Sequence, residues 1–365
     1  MKRPAEARVS VIMPVYNQAG FLAECLDTVL AQTLREIEVV CVDDGSTDGS
    51  RRILEEYAAR DARVKAVSQR NLGPGAARNR GMDVATGEFV AFMDPDDMYP
   101  DIGVLEDLYS AAASSGANAA GGSFSEFLPG GAERCRYDGS ASGMSFDEDG
   151  MVDYRDWQFD HGFVRFVFRR TVLEGAKARF PGYRRYQDPP FFVRAMDAAG
   201  SFFALRRVAY RCRVRAERVD WSACGAMRFR ALCAGLRDVA VFARRRGYGR
   251  LLSLQRQRTC RDFGAQFFDW RLRYRAPFAV ARLCRALGAL SLSTLERMVD
   301  AEFGPEPDPV RIARHKGPRA FLHPERSRET DEAAEAILYA GDLGNFGKAY
   351  ADEMSAIRKG CHGKG

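Results

Sequence analysis

Four short apolar runs, each stopping at a polar or acidic stretch, constrain this 365-residue chain more than any other feature. They are Val9–Met13, Glu38–Val42, Val64–Val67 and Phe89–Met93, with Pro14 closing the first. Helical spacing fills the gaps between them. Phe21, Leu22, Leu26, Val29 and Leu30 follow the first run, with Asn17 placed to cap them. Ile53, Leu54 and Tyr57 follow the second, and Ala76, Arg78 and Asn79 follow the third. Strands that alternate with helices over short connections predict an α/β fold with a doubly wound sheet. In such sheets ligands bind in the crevice beyond the carboxyl ends of the strands.

What stands at those ends is acidic. The fourth run leads into Asp94-Pro95-Asp96-Asp97, three carboxylates in four positions. Crowded carboxylates repel one another unless protons or a cation intervene. Hard divalent ions such as Mg²⁺ or Mn²⁺ are commonly held by one or two carboxylates and substrate phosphates. The plainer reading is a solvated turn that starts the next helix. The second run ends in Asp43-Asp44-Gly45, whose carboxylates can accept bonds from a base N–H and a ribose hydroxyl. Tyr16 can lie against a base, Gly73 and Gly75 permit close backbone approach, and Arg78 can reach a phosphate. Each has an ordinary structural explanation, as a turn pair, a packing aromatic or a surface charge. The shared rim makes the functional reading the stronger one. There is no G-x-G-x-x-G after the first run and no P-loop, which disfavours dinucleotide oxidoreduction and ATP hydrolysis by those routes.

Four motifs carry a resemblance. Val9-Ser10-Val11-Ile12-Met13-Pro14-Val15-Tyr16-Asn17 is followed by Val42-Asp43-Asp44-Gly45-Ser46-Thr47-Asp48-Gly49. Then come Asn71-Leu72-Gly73-Pro74-Gly75-Ala76-Ala77-Arg78-Asn79-Arg80-Gly81 and Gly87-Glu88-Phe89-Val90-Ala91-Phe92-Met93-Asp94-Pro95-Asp96-Asp97. In this order and spacing they resemble the nucleotide-binding half of the family 2 glycosyltransferases, inverting enzymes of the GT-A fold, here of the bacterial polysaccharide type. The resemblance implies that Pro14, Tyr16 and Asp44 hold a uracil-type base with Asp94 on the ribose side. It counts Asn17, Asp43, Asn71, Gly73 and Arg78 with the donor-binding set. Asp96, helped by Asp94 or Asp97, would bind Mn²⁺ or Mg²⁺ bridging a UDP-type diphosphate. The acceptor would be a hydroxyl of a glycan or lipid-linked sugar.

Further along, an amphipathic helix is expected near Ile102–Ala113 and a strand end at Gly121–Phe124. The Gly-, Ser- and Asp-rich residues 129–150 read as a loop able to close over substrate. Phe163–Phe168 alternates like a strand, and Thr171 with Glu174 reads as a capping box. At Gln187-Asp188-Pro189, Asp188 has the form of an N-cap followed by proline. The family resemblance gives it a second part, because the family's catalytic acid is the second member of a Glu-Asp pair. Here Gln187 replaces the first member, and Asp188 is the expected general base.

Charge divides the chain. Residues 1–110 hold 12 basic against 19 acidic residues, whereas 206–300 hold 22 arginines, no lysine and 7 acidic residues. The basic stretch reads as Arg-rich amphipathic helices, with Met227, Phe229, Leu232 and Leu236 on one face and Phe263, Phe267, Phe268 and Trp270 further on. Such helices suit either inward packing or contact with an anionic membrane surface. The expected domains are a donor half over 1–110, an acceptor half over 111–215, a helical subdomain over 216–303, and a linker with a helical tail over 304–365. No signal segment and no run of roughly 18 apolar residues is present, so a cytoplasmic location, peripheral to the inner membrane face, is expected. The nine scattered cysteines form no C-x-x-C pair, and the four histidines show no zinc spacing. Two rival readings are a nucleotidyltransferase, which lacks its basic Gly-rich loop here, and a non-catalytic module binding nucleic acid through the arginines. Nucleic acid is not the expected partner.

Overall fold

The structure, a computed structural model, describes residues 7–258 with the exception of 129–130, 136–138, 184 and 215–224. The expectations for residues 259–365, including the Phe263–Trp270 aromatics and the linker, lie outside the described residues. The chain divides into two units, residues 1–218 and 219–365.

The first unit begins β1 (Val9–Val15), α1 (Leu22–Leu30), β2 (Ile37–Asp43), α2 (Ser50–Arg60), β3 (Val64–Ser68), α3 (Pro74–Val84), β4 (Phe89–Phe92). It continues through α4 (Val104–Ser115), β5 (Ala119–Phe127), β6 (Glu133–Arg134), β7 (Gly150–Asp153), α5 (Tyr154–Trp157), β8 (Phe166–Arg169), α6 (Arg170–Gly175), α7 (Asp188–Ala199) and β9 (Ser201–Arg213). The described strands make one nine-stranded sheet in the order β3-β2-β1-β4-β8-β5-β9-β7, with β6 on β5. β3, β2, β1 and β4 run parallel, β8 is antiparallel to β4 and β5, and β9 is parallel to β5. The predicted α/β sheet is therefore present, as a mixed one.

The chain moves outward from β1 to β3, then returns past β1 to β4. That reversal opens a crevice beyond the carboxyl ends of β1 and β4, where acidic residues follow β4. Right-handed crossovers put α1 and α2 on one face and α3 on the other. α3 lies close against β1, since a methyl group on Gly81 would stand 2.4 Å from Ile12 Cγ2. At the opposite end of the sheet Glu38 is buried, accepting bonds from Ser10, Lys65, Thr86 N (2.5 Å) and Gly87 N (3.3 Å).

Several local expectations need correction. β1 runs through Pro14 to Val15, pairing with β2 as far as Val15↔Asp43. Pro14 is tolerated because its side of β1 faces β4, whose pairing has ended at Ile12↔Phe92, so no ladder bond is lost. Asn17 does not cap α1. It adopts a left-handed φ of 52° and bonds to the β2–α2 loop instead, accepting from Thr47 N at 2.8 Å. The Gly121–Phe124 stretch is the body of β5, not its end. Part of the expected 129–150 loop is ordered as β6 and as a 3₁₀ turn over Gly139–Met144. Phe163–Arg165 is a 3₁₀ turn entered through Gly162 (φ 79°), and only Phe166–Arg169 forms a strand. The capping box is absent: α6 starts at Arg170 without a side-chain cap, and Glu174 pairs with Arg170 at 2.7 Å.

The second unit contains α8 (Gly225–Arg246) and α9 (Gly249–Arg258), joined through Gly247 at φ 74°. Leu232 and Leu236 are buried, and Arg237, Arg244, Arg245, Arg246 and Arg250 are exposed.

Candidate active site

On the donor side, backbone geometry gathers the predicted residues of β1, β2 and the Gly-rich loop. Asp44 N donates to Val15 O at 2.8 Å, placing Asp44 beside the end of β1. Its carboxylate is buried and accepts from Gln69 Nε2, Leu72 N and Gly73 N, each at 2.8 Å. Gly73 holds φ 92° as it turns into α3, a conformation costly for any residue with a Cβ. Asp44 thus fixes the Gly-rich loop as its first duty. Asp43 is buried and accepts from Ser46 N at 3.0 Å. Tyr16, one residue past β1, leaves 44% of its surface open. Asn71 Oδ1 is buried without a hydrogen-bond partner.

The acidic turn separates its three carboxylates by duty. Asp97 is buried, accepting from Tyr210 Oη at 2.7 Å and Arg213 N at 2.8 Å. Burial pushes its carboxyl up to about 7, with the negative charges of Asp94 and Asp96 adding to the effect. Asp97 is accordingly tied to β9 through both oxygens, which fits an anchor better than the metal ligand considered from sequence. Asp94 and Asp96 are less buried. Asp94 N donates to Tyr210 Oη at 3.1 Å, and the Asp96 carbonyl accepts from Arg213 Nε at 3.2 Å. Among the described residues no three His, Cys, Asp or Glu side chains are placed to hold a metal ion by themselves.

Arg78 does not extend outward from α3. It is only 4% exposed, donating to Asp94 Oδ1 at 2.6 Å and to Asp188 Oδ1 at 3.3 Å, with Phe163 and Phe180 rings 5.0 and 5.3 Å away. Burial opposes its charge, but Asp94 and Asp188 outweigh it and the guanidinium is held more firmly protonated. One side chain therefore joins the end of β4 to the start of α7, 110 residues away from Asp188 in sequence.

Asp188 is the first helical residue of α7, not its cap: the cap position is Gln187 and no side chain caps the helix. Its carboxyl is pushed above the ordinary carboxylate range by burial, with Asp94 adding, against the opposing pull of Arg78, His161 and Arg185. The mouth of the cleft leaves 43% of the side chain accessible and moderates that rise. Tyr210 and Arg213, which position the acidic turn, are not apparent in the sequence. β9 reads there as one more basic, aromatic strand, and its register alone brings these residues back to Asp97.

An open α/β sheet with acidic and Gly-rich strand ends gathered at its reversal point belongs to the class of folds that bind nucleotides there. The model of the family described as Glycosyl transferase family 2 matches residues 10–213, more than half of the chain. The chain belongs to that family. It is 33% identical over 225 residues to a putative glycosyltransferase, EpsH, of Bacillus subtilis, a match covering 58% of this chain and 59% of the relative. It is 47% identical over 89 residues to the uncharacterized glycosyltransferase EpsJ of the same organism, covering 24% and 26%. The glycosyltransferase GlyA of Streptococcus pneumoniae is 39% identical over 120 residues, 33% of this chain and 17% of that protein. The matches thus span between about a sixth and three fifths of these relatives' lengths. Among solved structures, S. aureus TarS 1-349 in complex with UDP-GlcNAc superposes with a TM-score of 0.54 at 20% identity, covering 80% of this chain and 86% of that one. The likeness shows a shared fold, the GT-A type expected from the motifs.

Proposed function

We propose that the chain is an inverting glycosyltransferase that moves a hexosyl or N-acetylhexosaminyl group from a UDP-type donor to a hydroxyl of a glycan or lipid-linked acceptor, with Asp188 as general base. The observation that carries this reading is the Asp94–Arg78–Asp188 link, which holds the donor-side acid and the candidate base to one guanidinium. Exposed Tyr16 offers a flat face for the base, and Asp44, Asn71 and Gly73 frame it.

A divalent ion, Mn²⁺ or Mg²⁺, fits the acidic turn. Asp94 and Asp96 are the acids of the turn that keep surface open, and their hard oxygen donors suit such an ion. Asp94 and Asp96 would hold the ion, and oxygens of the diphosphate would complete its shell, as is usual for Mg²⁺. Bound there, it would supply charge neutralisation for the departing diphosphate.

The chain's own groups do the rest. Asp188 accepts the proton of the acceptor hydroxyl, whose oxygen attacks the anomeric carbon as the bond to the diphosphate breaks, inverting that carbon. Its raised pKa makes it a better proton acceptor than an ordinary aspartate. Arg78 keeps the carboxylate in place. The exposed arginines of α8 and α9 support contact with an anionic membrane surface on the cytoplasmic side, where lipid-linked acceptors reside. No helix among the described residues is long and apolar enough to cross a membrane.

Asp188→Asn tests the assignment, because it keeps shape and removes basicity. The variant is expected to bind UDP with wild-type affinity by thermal shift and to lose about 10²- to 10⁴-fold in turnover. Turnover within about twofold of wild type would remove Asp188 from the chemistry.

A further inference from the structure

Beside Asp188 lies a pair of residues that no motif singles out. The imidazole of His161 is set by its neighbour: Nδ1 is 3.0 Å from Oδ1 of Asp160, which is 0% exposed. A carboxylate on one ring nitrogen fixes the ring's orientation, and Nε2 is its second hydrogen-bonding group. The turn that presents the ring is unusual, with left-handed backbone at Gln158 (φ 46°) and Gly162 (φ 79°) on either side. Tyr154 Oη steadies it by donating to Phe159 O at 3.1 Å.

The His161 ring meets Tyr186 edge to face at 6.0 Å. Tyr186 itself holds φ 59°, a left-handed conformation that bulky residues avoid and that Gly or Asn would adopt at little cost. Strain of this kind persists where the surroundings over-determine it, and it clusters at ligand-binding positions. Here it falls two residues before Asp188 and aims an aromatic ring at the same turn. His161 is also among the groups whose charge acts on the Asp188 carboxyl, so the three side chains share one locality.

We propose that Tyr186 and His161 form the acceptor subsite and that it takes a pyranose ring. The sugar's apolar face would lie on Tyr186, one hydroxyl would hydrogen-bond to His161 Nε2, and a neighbouring hydroxyl would reach Asp188. An aromatic ring offers a flat apolar surface with a polar rim, and a few fixed polar groups then set orientation. This inference rests on reading Asp188 as the base. It adds the residues that hold and select the acceptor sugar.

The test is saturation-transfer NMR on the full chain, with methyl β-D-glucopyranoside and methyl β-D-galactopyranoside as probes and UDP titrated in parallel. Wild type should bind at least one glycoside. His161→Leu and Tyr186→Asn should each weaken that binding about tenfold or more while UDP affinity stays within about twofold. His161→Gln, whose amide can restore a hydrogen-bonding group near the Nε2 position, should recover most of it. Tyr186→Asn tolerates the left-handed backbone, so its melting temperature should equal or exceed wild type, the opposite of a purely structural role. Should that variant fail to fold, the His161→Leu and His161→Gln pair decides alone. Glycoside binding equal to wild type in the variants overturns the proposal. So does UDP binding without binding of either glycoside in wild type, an outcome that leaves the donor reading standing. Loss of UDP binding in wild type would bring down the donor reading itself, and this inference with it.

Discussion

Replacing Arg78 with Met separates its two effects, on stability and on the base. The guanidinium stands 2.6 Å from Asp94 and 3.3 Å from Asp188, so both carboxylates lose their cation at once. Breaking a fully buried pair costs ~3–5 kcal/mol. Asp94 and Asp188 keep 33% and 43% of their side-chain surface open, and water relieves much of that cost, leaving ~1–2 kcal/mol. The effect on Asp188 follows from the same geometry. Arg78 is the foremost group holding its pKa down against burial and Asp94. A charge at about 4 Å contributes ~4 kcal/mol at an effective dielectric of 20 and ~1 kcal/mol in water. The half-open cleft lies nearer the second limit, and removal should raise the Asp188 pKa further. A general base works only when deprotonated. The acidic limb of the kcat/KM profile should therefore move to higher pH in Arg78→Met. The assay is nucleoside diphosphate release across the acid range, with urea unfolding of the same variant. An acidic limb that stays put or moves downward while stability falls as expected would refute the electrostatic coupling of Arg78 to the base.

Other outcomes are expected from the same structure. Burial pushes the Glu38 carboxyl up, but Lys65, Ser10 and the Thr86 groups outweigh it and hold it near about 2 against an ordinary 4.5. That gap is worth ~3 kcal/mol, fully present above the unfolded value and lost as pH falls through the folded one. Denaturant unfolding at pH 6 and pH 3 should show the advantage of wild type over Glu38→Gln shrinking by ~2 kcal/mol. Tyr210→Phe removes the hydroxyl that joins Asp97 Oδ2 to Asp94 N, and should cost ~1–3 kcal/mol and weaken UDP binding in the presence of Mn²⁺, as read by calorimetry. Replacing Arg244, Arg245 and Arg246 with Gln should reduce flotation with anionic liposomes at low salt, and equal flotation would end the membrane reading.

The donor half was legible because its information is local. Each strand and the loop after it lie within one short stretch, so Val39–Val42 and Asp43-Asp44 carry the sheet and its rim together. Two kinds of information were not local. Pro14 reads as a strand breaker, and only the end of β4 at Phe92 shows why β1 can continue through it. Asp97 reads as one of three equivalent acids until β9 arrives, more than a hundred residues later, and takes both of its oxygens. Asp188 stands as the candidate base through the family motif. Its helix position was misjudged because Asp before Pro has the composition of a cap whether or not a cap bond forms.

Arg78 shows how the two halves of the first unit depend on each other. From the sequence it is a cation in a Gly-rich motif, best suited to a phosphate. Buried between Asp94 and Asp188, it instead couples the end of β4 to the start of α7, the helix of the proposed base. Ligands drawn to the acidic turn compete with Arg78 for Asp94, whose Oδ1 it already occupies. A cation at Asp94 would offset the charge that raises the Asp188 carboxyl and would share Oδ1 with Arg78, lowering the pKa of the proposed base both directly and through the guanidinium. The proposed base and the proposed cation site are then linked through Asp94 as well as Arg78, and Arg78→Met should reduce without abolishing any effect of Mn²⁺ on the acidic limb.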